Sequence, residues 1–465
     1  MNSTRISRAA LVLAVTGVLA AGCSSSSGSS SGTTTGAGTA APGASTAPAA
    51  TSPAGSAAPG TTGGATESSV DTSQNKASDQ GVTPTTIKLG FVNAKTGVAA
   101  SSFGPQAYAA AKARFEVENA KGGIFGRKLE LVDGDDQSIP ANNLQLLKKF
   151  NEQDKVFGMA VVSPMFFAGY RYTVDKGIPV TSAAIDGAPY GPPNNNLFSA
   201  IGNADPKYKA GPAKGQYFKS KGATNVGVIA YGDSPSSTGS AKQAGKSVEI
   251  AGLKTTYQLS IPFGSTDFTA TALQFKQAGV DAVITSMVLS SNVAAVKALQ
   301  DAGVQLKASM VFGGYNEAVL EDSTAKSTLQ GIGLTTGMKP MSLDDPATKA
   351  MRDALKQYAN YDKADPLQGQ IFAWNAADLM VRGLQEAGQN PTRKTFIDNL
   401  LKVKDYDMGG LLGATVDFSK VAWIEQATNA NCMWVAVLEG DKFTTDPSDG
   451  KPICQDALIP GTEQA

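Results

Sequence analysis

Apolar and polar positions alternate in two periods along most of this chain, and the stretch from Pro105 to Gln137 contains both. Within PQAYAAAKARFEVENAKGGIFGRKLELVDGDDQ, Tyr108, Ala111 and Phe115 fall at spacings of three and four. That places one apolar stripe on a helix whose other face carries Lys112, Arg114, Glu116 and Glu118. Asn119 and the pair Gly122-Gly123 end it, since glycine enters the left-handed conformation of a helix stop without a Cβ clash. After a turn at Gly126-Arg127 the period drops to two, with Leu129 and Leu131 on one face of a strand and Lys128, Glu130 and Val132 on the other. Ser138 and Pro140 then open another helix. Helix, turn, strand, helix is a parallel α/β unit.

The same alternation runs on. Ile87–Asn93, Val156–Val162 and Ile178–Thr181 read as strands, with Ser163-Pro164 starting a helix beyond the second. A crossing near Phe198–Pro206 leads to strands at Asn225–Tyr231, Asp281–Ser286 and Leu306–Phe312. Between the last two lies a helix over Ser291–Ala302, in which Val293, Val296 and Leu299 share a face. A second crossing near Gly333–Met341 precedes helices over Asp345–Tyr358, Gly369–Ala387 and Thr392–Leu401. Leu411–Phe418 is expected to cross once more, and Cys432–Leu438 to add a final strand. About 380 residues exceed what one hydrophobic core supports, so two lobes are expected. Residues 81–204 with 337–411 form the first, and 205–336 with 412–460 the second. Three crossings between them make a hinge that closes around a ligand.

The N-terminus has a different composition. Arg5 and Arg8 precede an apolar run from Ala9 to Ala21, too short for a stable membrane span and suited to a secretory signal over residues 1–22. The run ends Leu19-Ala20-Ala21-Gly22-Cys23, which resembles a bacterial lipobox with Ala20 where leucine is usual. The resemblance implies acylation of Cys23 and anchoring to the cell membrane, which two or three acyl chains make stable. Ser24–Gln80 is mostly Ser, Thr, Gly, Ala and Pro with no aromatic residue and one larger aliphatic, Val70, so residues 23–80 are expected to be a disordered tether. Its root-mean-square reach is roughly 40 Å. With Cys23 acylated, Cys432 and Cys454 remain as an even pair in an oxidising compartment, and a disulfide between them is expected.

A helix ending Asn119-Ala120-Lys121-Gly122-Gly123-Ile124, then Gly126-Arg127-Lys128-Leu129, a strand, and Asp133-Gly134-Asp135-Asp136 resembles the first lobe of type I periplasmic solute-binding proteins. The leucine-binding (branched-chain amino-acid) group is nearest, and the likeness continues to about residue 440. It implies a two-lobe α/β fold with a parallel sheet flanked by helices in each lobe and three hinge segments. It also implies capture of a small-molecule solute and delivery to an ABC transporter permease. The resemblance places Phe103 on the ligand, Ser163 at its carboxylate and Ala184 at the carbonyl that receives its ammonium. Where amino-acid binders have a threonine this chain has Asp186, and where they have the ammonium-pairing glutamate it has Tyr315. An aspartate repels a carboxylate and a tyrosine holds no ammonium, so the ligand is expected to be a neutral, amide or aromatic solute and not a free amino acid. Tyr231 and Met287, at the ends of second-lobe strands, complete the expected ligand set; Phe166 would suit the same apolar ligand. Ser236 and Ser237 are assigned to capping a helix, and Trp374, Trp423 and Trp434 to packing.

Charge and chemistry narrow the function further. Lys+Arg and Asp+Glu number 40 each, which gives no basic surplus for nucleic acid. The chain has no histidine, which removes histidine-based triads and histidine-ligated metals. The glycine pairs lack a P-loop lysine or dinucleotide spacing, and Asp133, Asp135 and Asp136 sit where aspartates cap or solvate a turn. The expectation is a monomeric, extracytoplasmic binding protein with no enzymatic activity, cofactor or metal. A sensory or regulatory ligand-binding lipoprotein of the same fold is the alternative.

Overall fold

The computed structural model describes residues 71–104, 106–201, 210–420 and 432–454. The signal segment, Cys23, most of the tether and Trp423 lie outside them.

Two sheets organise these residues. The first is parallel throughout, in the order β2 (Lys128–Asp135), β1 (Thr86–Asn93), β3 (Gly158–Val162), β4 (Val180–Ser182), β5 (Leu197–Ser199). Helices Gln106–Ala120 and Gln368–Ala387 pack together on one face, and Pro140–Glu152 covers the other. The helix expected to expose Arg114 and Glu118 instead turns them onto its neighbour. Arg114 Nε lies 2.6 Å from Asp378, and Glu118 is buried. A polar face predicts solvent only until another helix arrives to supply the counter-charge.

The second sheet runs β13 (Lys442–Asp446), β12 (Val435–Glu439), β10 (Gly333–Thr335), β9 (Ala308–Val311), β8 (Ala282–Ser286), β6 (Asn225–Tyr231), β7 (Lys254–Ile261). Its five strands from β10 to β7 are parallel, but β12 and β13 are antiparallel additions, so the sheet is mixed. The reason is the connection: β12 and β13 are joined only by Gly440-Asp441, and a two-residue link joins antiparallel strands alone. The single strand expected over Cys432–Leu438 breaks at Trp434 into β11 (Cys432–Met433) and β12, and β11 pairs with β14 (Ile453–Cys454) in a ribbon of its own. The Cys432–Cys454 disulfide closes that ribbon across directly opposed residues with Cα atoms 4.0 Å apart. Closing its loop stabilises the fold by about 3 kcal/mol in the chain-entropy picture.

Two boundaries differ from expectation. Leu411–Phe418 does not cross between lobes: Val416 N donates to Tyr406 O at 2.7 Å, and Phe418 packs edge-on against Phe198 of the first lobe. Asp71–Gln80 is likewise no part of a tether. Asn75 is buried, Ser78 Oγ donates to Pro391 O at 2.6 Å, and Asp79 accepts from Arg393 N at 2.7 Å.

Arg127 holds this segment down. Fully buried, it donates to the carbonyls of Thr83 (2.7 Å), Gln389 (2.5 Å) and Lys76 (3.1 Å), and to Asn390 Oδ1 (3.2 Å). One guanidinium thus joins the chain before β1 to the loop after Gln368–Ala387, and each bond to a charged donor is stronger than a neutral one. Arg127→Met is expected to lower stability by about 3 kcal/mol in urea titrations and to open Asp71–Gln80 to proteolysis; unchanged cleavage there would show that the clasp is dispensable.

Candidate functional site

The carboxyl ends of both sheets face one another across a gap, and loops from each close on it. β1 leads to the short helix Ala100–Phe103. Phe103 is held in place because Gln368–Ala387 starts against it: a Cβ on Gly369 would lie 3.1 Å from the Phe103 backbone. Its ring meets that of Phe372 at 5.9 Å, and Phe372 stacks on Phe312 of the second lobe at 6.2 Å. The lobes touch elsewhere too. Leu289 N donates to Ser102 Oγ at 2.9 Å, and Gly187 approaches so closely that a Cβ there would lie 2.9 Å from Ser236 N.

Between these contacts lies a cavity of about 150 Å³. From the first lobe it is lined by Phe103, Pro164, Ala183, Ala184, Ile185, Gln368 and Phe372. The β4 loop reaches it through Ala184, whose φ of +48° is the left-handed region that an alanine occupies only under strain. Second-lobe walls include Tyr231, Met287, Phe312, Met310, Met433 and Trp434. Tyr231 is fixed by its hydroxyl, 2.7 Å from Ser291 Oγ, and by a T-shaped contact with Phe263 at 4.7 Å. Trp434 lines the cavity as well as packing, with its indole N–H donated to Gly450 O at 3.1 Å.

Of the seven ligand residues expected from sequence, the structure brings four to this cavity: Phe103, Ala184, Tyr231 and Met287. The other three turn inward. Ser163 Oγ donates to Asp136, which Asn143 also serves at 2.9 Å, and accepts from Met165 N at 3.1 Å. Asp186 is fully buried, accepting from Ala188 N and from the Tyr190 hydroxyl, each at 2.8 Å. Burial pushes its pKa up to about 7. Tyr315 donates to Asp365 at 2.6 Å and accepts from Met341 N at 2.8 Å, close to the second crossing between lobes. Phe166 packs on Tyr190. The capping oxygen of the helix Pro235–Ile250 belongs to Ser234; Ser237 accepts from Tyr231 N at 2.9 Å and donates to Ser286 O, tying β6 to β8.

The three aspartates after β2 are divided among separate partners. Asp133 pairs with Lys95 at 2.6 Å, Asp135 accepts from Lys95 N and from the Thr96 hydroxyl, and Asp136 takes Ser163 and Asn143. Among the described residues no acidic side chain lines the cavity, and the one charged group that does is Lys214. Two buried polar atoms of lining residues, Thr285 Oγ1 and Gln368 Oε1, have no hydrogen-bond partner among the described residues.

A family profile described as periplasmic binding protein matches residues 86–443, more than half of the chain. The chain belongs to the periplasmic binding protein family. Members of this family are substrate-binding transport proteins. The chain is 25% identical over 298 residues to the Leu/Ile/Val-binding protein homolog 1 of Brucella abortus (strain 2308), covering 62% of this chain and 75% of that one. Its fold is shared with a fatty acid ABC transporter substrate-binding protein from Thermomonospora curvata, at a TM-score of 0.64 and 21% identity over 83% of this chain and 95% of that one. A solute-binding protein of R. palustris in complex with benzoate superposes with a TM-score of 0.61 and 16% identity, over 80% and 99%. The two-lobe type I periplasmic-binding architecture expected from sequence is the one observed.

Phe312, Phe372, Gln368, Thr285 and Lys214 were not singled out by sequence. Phe312 and Thr285 lie in or just beyond strands ending at the gap, the positional signal that identified Tyr231 and Met287. Gln368 and Phe372 lie near the start of the helix Gln368–Ala387, nearly all of which is buried, so burial there marks no particular residue.

The inward bonds set two expected outcomes. Tyr315→Phe leaves the buried Asp365 carboxylate and Met341 N–H short of a partner, so stability falls by about 2 kcal/mol while ligand affinity stays within about twofold. A large loss of affinity without loss of stability would put Tyr315 back in the site. Asp186 behaves oppositely to a salt-bridged aspartate. Between its ordinary pKa of 3.8 and about 7 the folded chain keeps a proton that the unfolded chain releases, so this residue lowers stability as pH rises through that window. The drop reaches up to about 4 kcal/mol at pH 7. Asp186→Asn should flatten that part of the stability profile, read by urea unfolding from pH 4 to 8.

Proposed function

We propose that this chain is the extracytoplasmic solute-binding component of an ABC importer, lipid-anchored to the bacterial cell membrane at Cys23. It works as a monomer and captures a small, mainly apolar solute between its lobes. The observation that supports this reading is the cavity itself: aromatic, Met and Ala side chains, with neutral Ser, Thr and Gln among them, line it from both lobes, as a ligand bound by differential closure requires. A ligand that contacts both lobes favours the closed arrangement by the difference in its affinity for the closed and open forms, and the permease reads closure.

The ligand is not a free α-amino acid. A zwitterion needs an acidic partner for its ammonium, and among the described lining residues there is none. This replaces the argument from Asp186 and Tyr315, whose polar groups are engaged elsewhere. The relatives named for leucine, isoleucine and valine, for fatty acid and for benzoate have an apolar ligand body in common.

Thermal unfolding of the Cys23→Ser chain with a solute panel tests this reading. Leucine, isoleucine and valine should leave the midpoint unmoved, while an apolar solute at a hundred times its Kd should add about 2.7 kcal/mol. A comparable shift with leucine would overturn it.

A further inference from the structure

We infer that Lys214 is the head-group anchor of the cavity and that the solute is a monocarboxylate with an apolar body. The assignment rests on the solute-binding reading above and names its ligand class.

Lys214 is the second residue of the helix Ala213–Ser220. Its position is set by the next residue: Gly215 N donates to Ser247 Oγ at 3.0 Å, and a Cβ on Gly215 would lie 2.0 Å from Ser247 O, so the helix sits directly on Pro235–Ile250. One turn before Ser247 on that helix are Gln243 and Ala244, and one turn before those is Ser240. All three line the cavity together with Lys214. Ile284, Met310 and Met433 also line the cavity and with Ala244 belong to the second lobe's own core, so the cavity extends from the aromatic gap between the lobes into the second lobe.

Two other partly buried lysines have a carboxylate, and Lys88 has the Asp154 carbonyl at 3.2 Å. Lys95 has Asp133 at 2.6 Å, and Lys339 has Asp345 at 2.5 Å. No described residue pairs with Lys214, and burial alone lowers its pKa. An ammonium withdrawn from water without a counter-ion is unfavourable unless something supplies one. A monoanion does so with the charge balanced one to one, and Ser240 adds a neutral donor on the adjoining helix. Apart from Lys214 the polar side chains of the lining are neutral, and its aromatic, Met and Ala side chains suit an apolar body.

Calorimetric titration of the full Cys23→Ser chain tests this with matched pairs, octanoate against octanamide and benzoate against benzamide. At least one carboxylate should bind about tenfold or more tighter than its amide. Lys214→Met should weaken that carboxylate by roughly 30-fold or more and leave the amide within about threefold, while Lys214→Arg retains the preference. Without ligand, Lys214→Met should melt above the parent, because an unpaired buried charge has been removed; melting below it would mean that Lys214 has a partner in the fold and would overturn the assignment. Equal affinity for acid and amide, or a Lys214→Met chain that keeps its carboxylate, would overturn it as well. If no carboxylate binds but a neutral solute does, the head-group assignment fails and the solute-binding reading stands. If no apolar solute on the panel binds, both fail.

Discussion

The constraint on which the molecule depends is that a parallel sheet directs all its strand ends the same way. Each lobe covers its sheet with helices on both faces, so the edge formed by the strand carboxyl ends is left for loops to finish. Here two such edges meet. Phe103, Ala184, Tyr231, Met287 and Phe312 come from five different connections, yet they line one cavity because the sheets that carry them point into the same gap. The aromatic contacts among Phe103, Phe372 and Phe312 then bridge the lobes without polar groups that would need water.

How the loops finish depends on their neighbours, and there sequence reading lost its grip. The period-two and period-four patterns located the strands and long helices because burial on one face is written into consecutive residues. A loop residue at a strand end has no such record. Ser163 and Ala184 sit in equivalent places after β3 and β4, but Asp136 draws the serine hydroxyl inward while nothing draws the alanine. The resemblance places Asp186 and Tyr315 at the ligand. Tyr190 and Asp365, four and fifty residues away, satisfy them inside the protein instead. The end of the tether was missed for a related reason. Asp71–Gln80 looks like linker by composition and is held chiefly by hydrogen bonds, above all those of Arg127, which leave no apolar pattern to read.

Lys214 is the opposite case. A lysine near the start of a short helix is the least conspicuous residue a sequence can offer, and only packing distinguishes it. Gly215 against Ser247 brings its helix close onto the next, and Lys214 lines the same cavity as the second lobe's methionines. The charge balance of the whole chain conceals this, since 40 cationic and 40 anionic residues suggest general neutrality. Locally the cancellation is incomplete: the aspartates near the first-lobe cleft are matched to Lys95, Ser163 and Tyr190, and the second-lobe lysine is matched to nothing in the described protein.

That imbalance changes the meaning of the missing acidic group. Absence of a glutamate for an ammonium argues for a ligand without a positive charge, and taken alone suits any neutral molecule. A cation facing the same apolar walls discriminates among those molecules, because an amide leaves the ammonium as desolvated as before, while an anion removes the penalty on both charges at once. Apolar walls thus do two things here. They take up the body of the solute, and they make the single ammonium sensitive to whether the far end of that solute is charged.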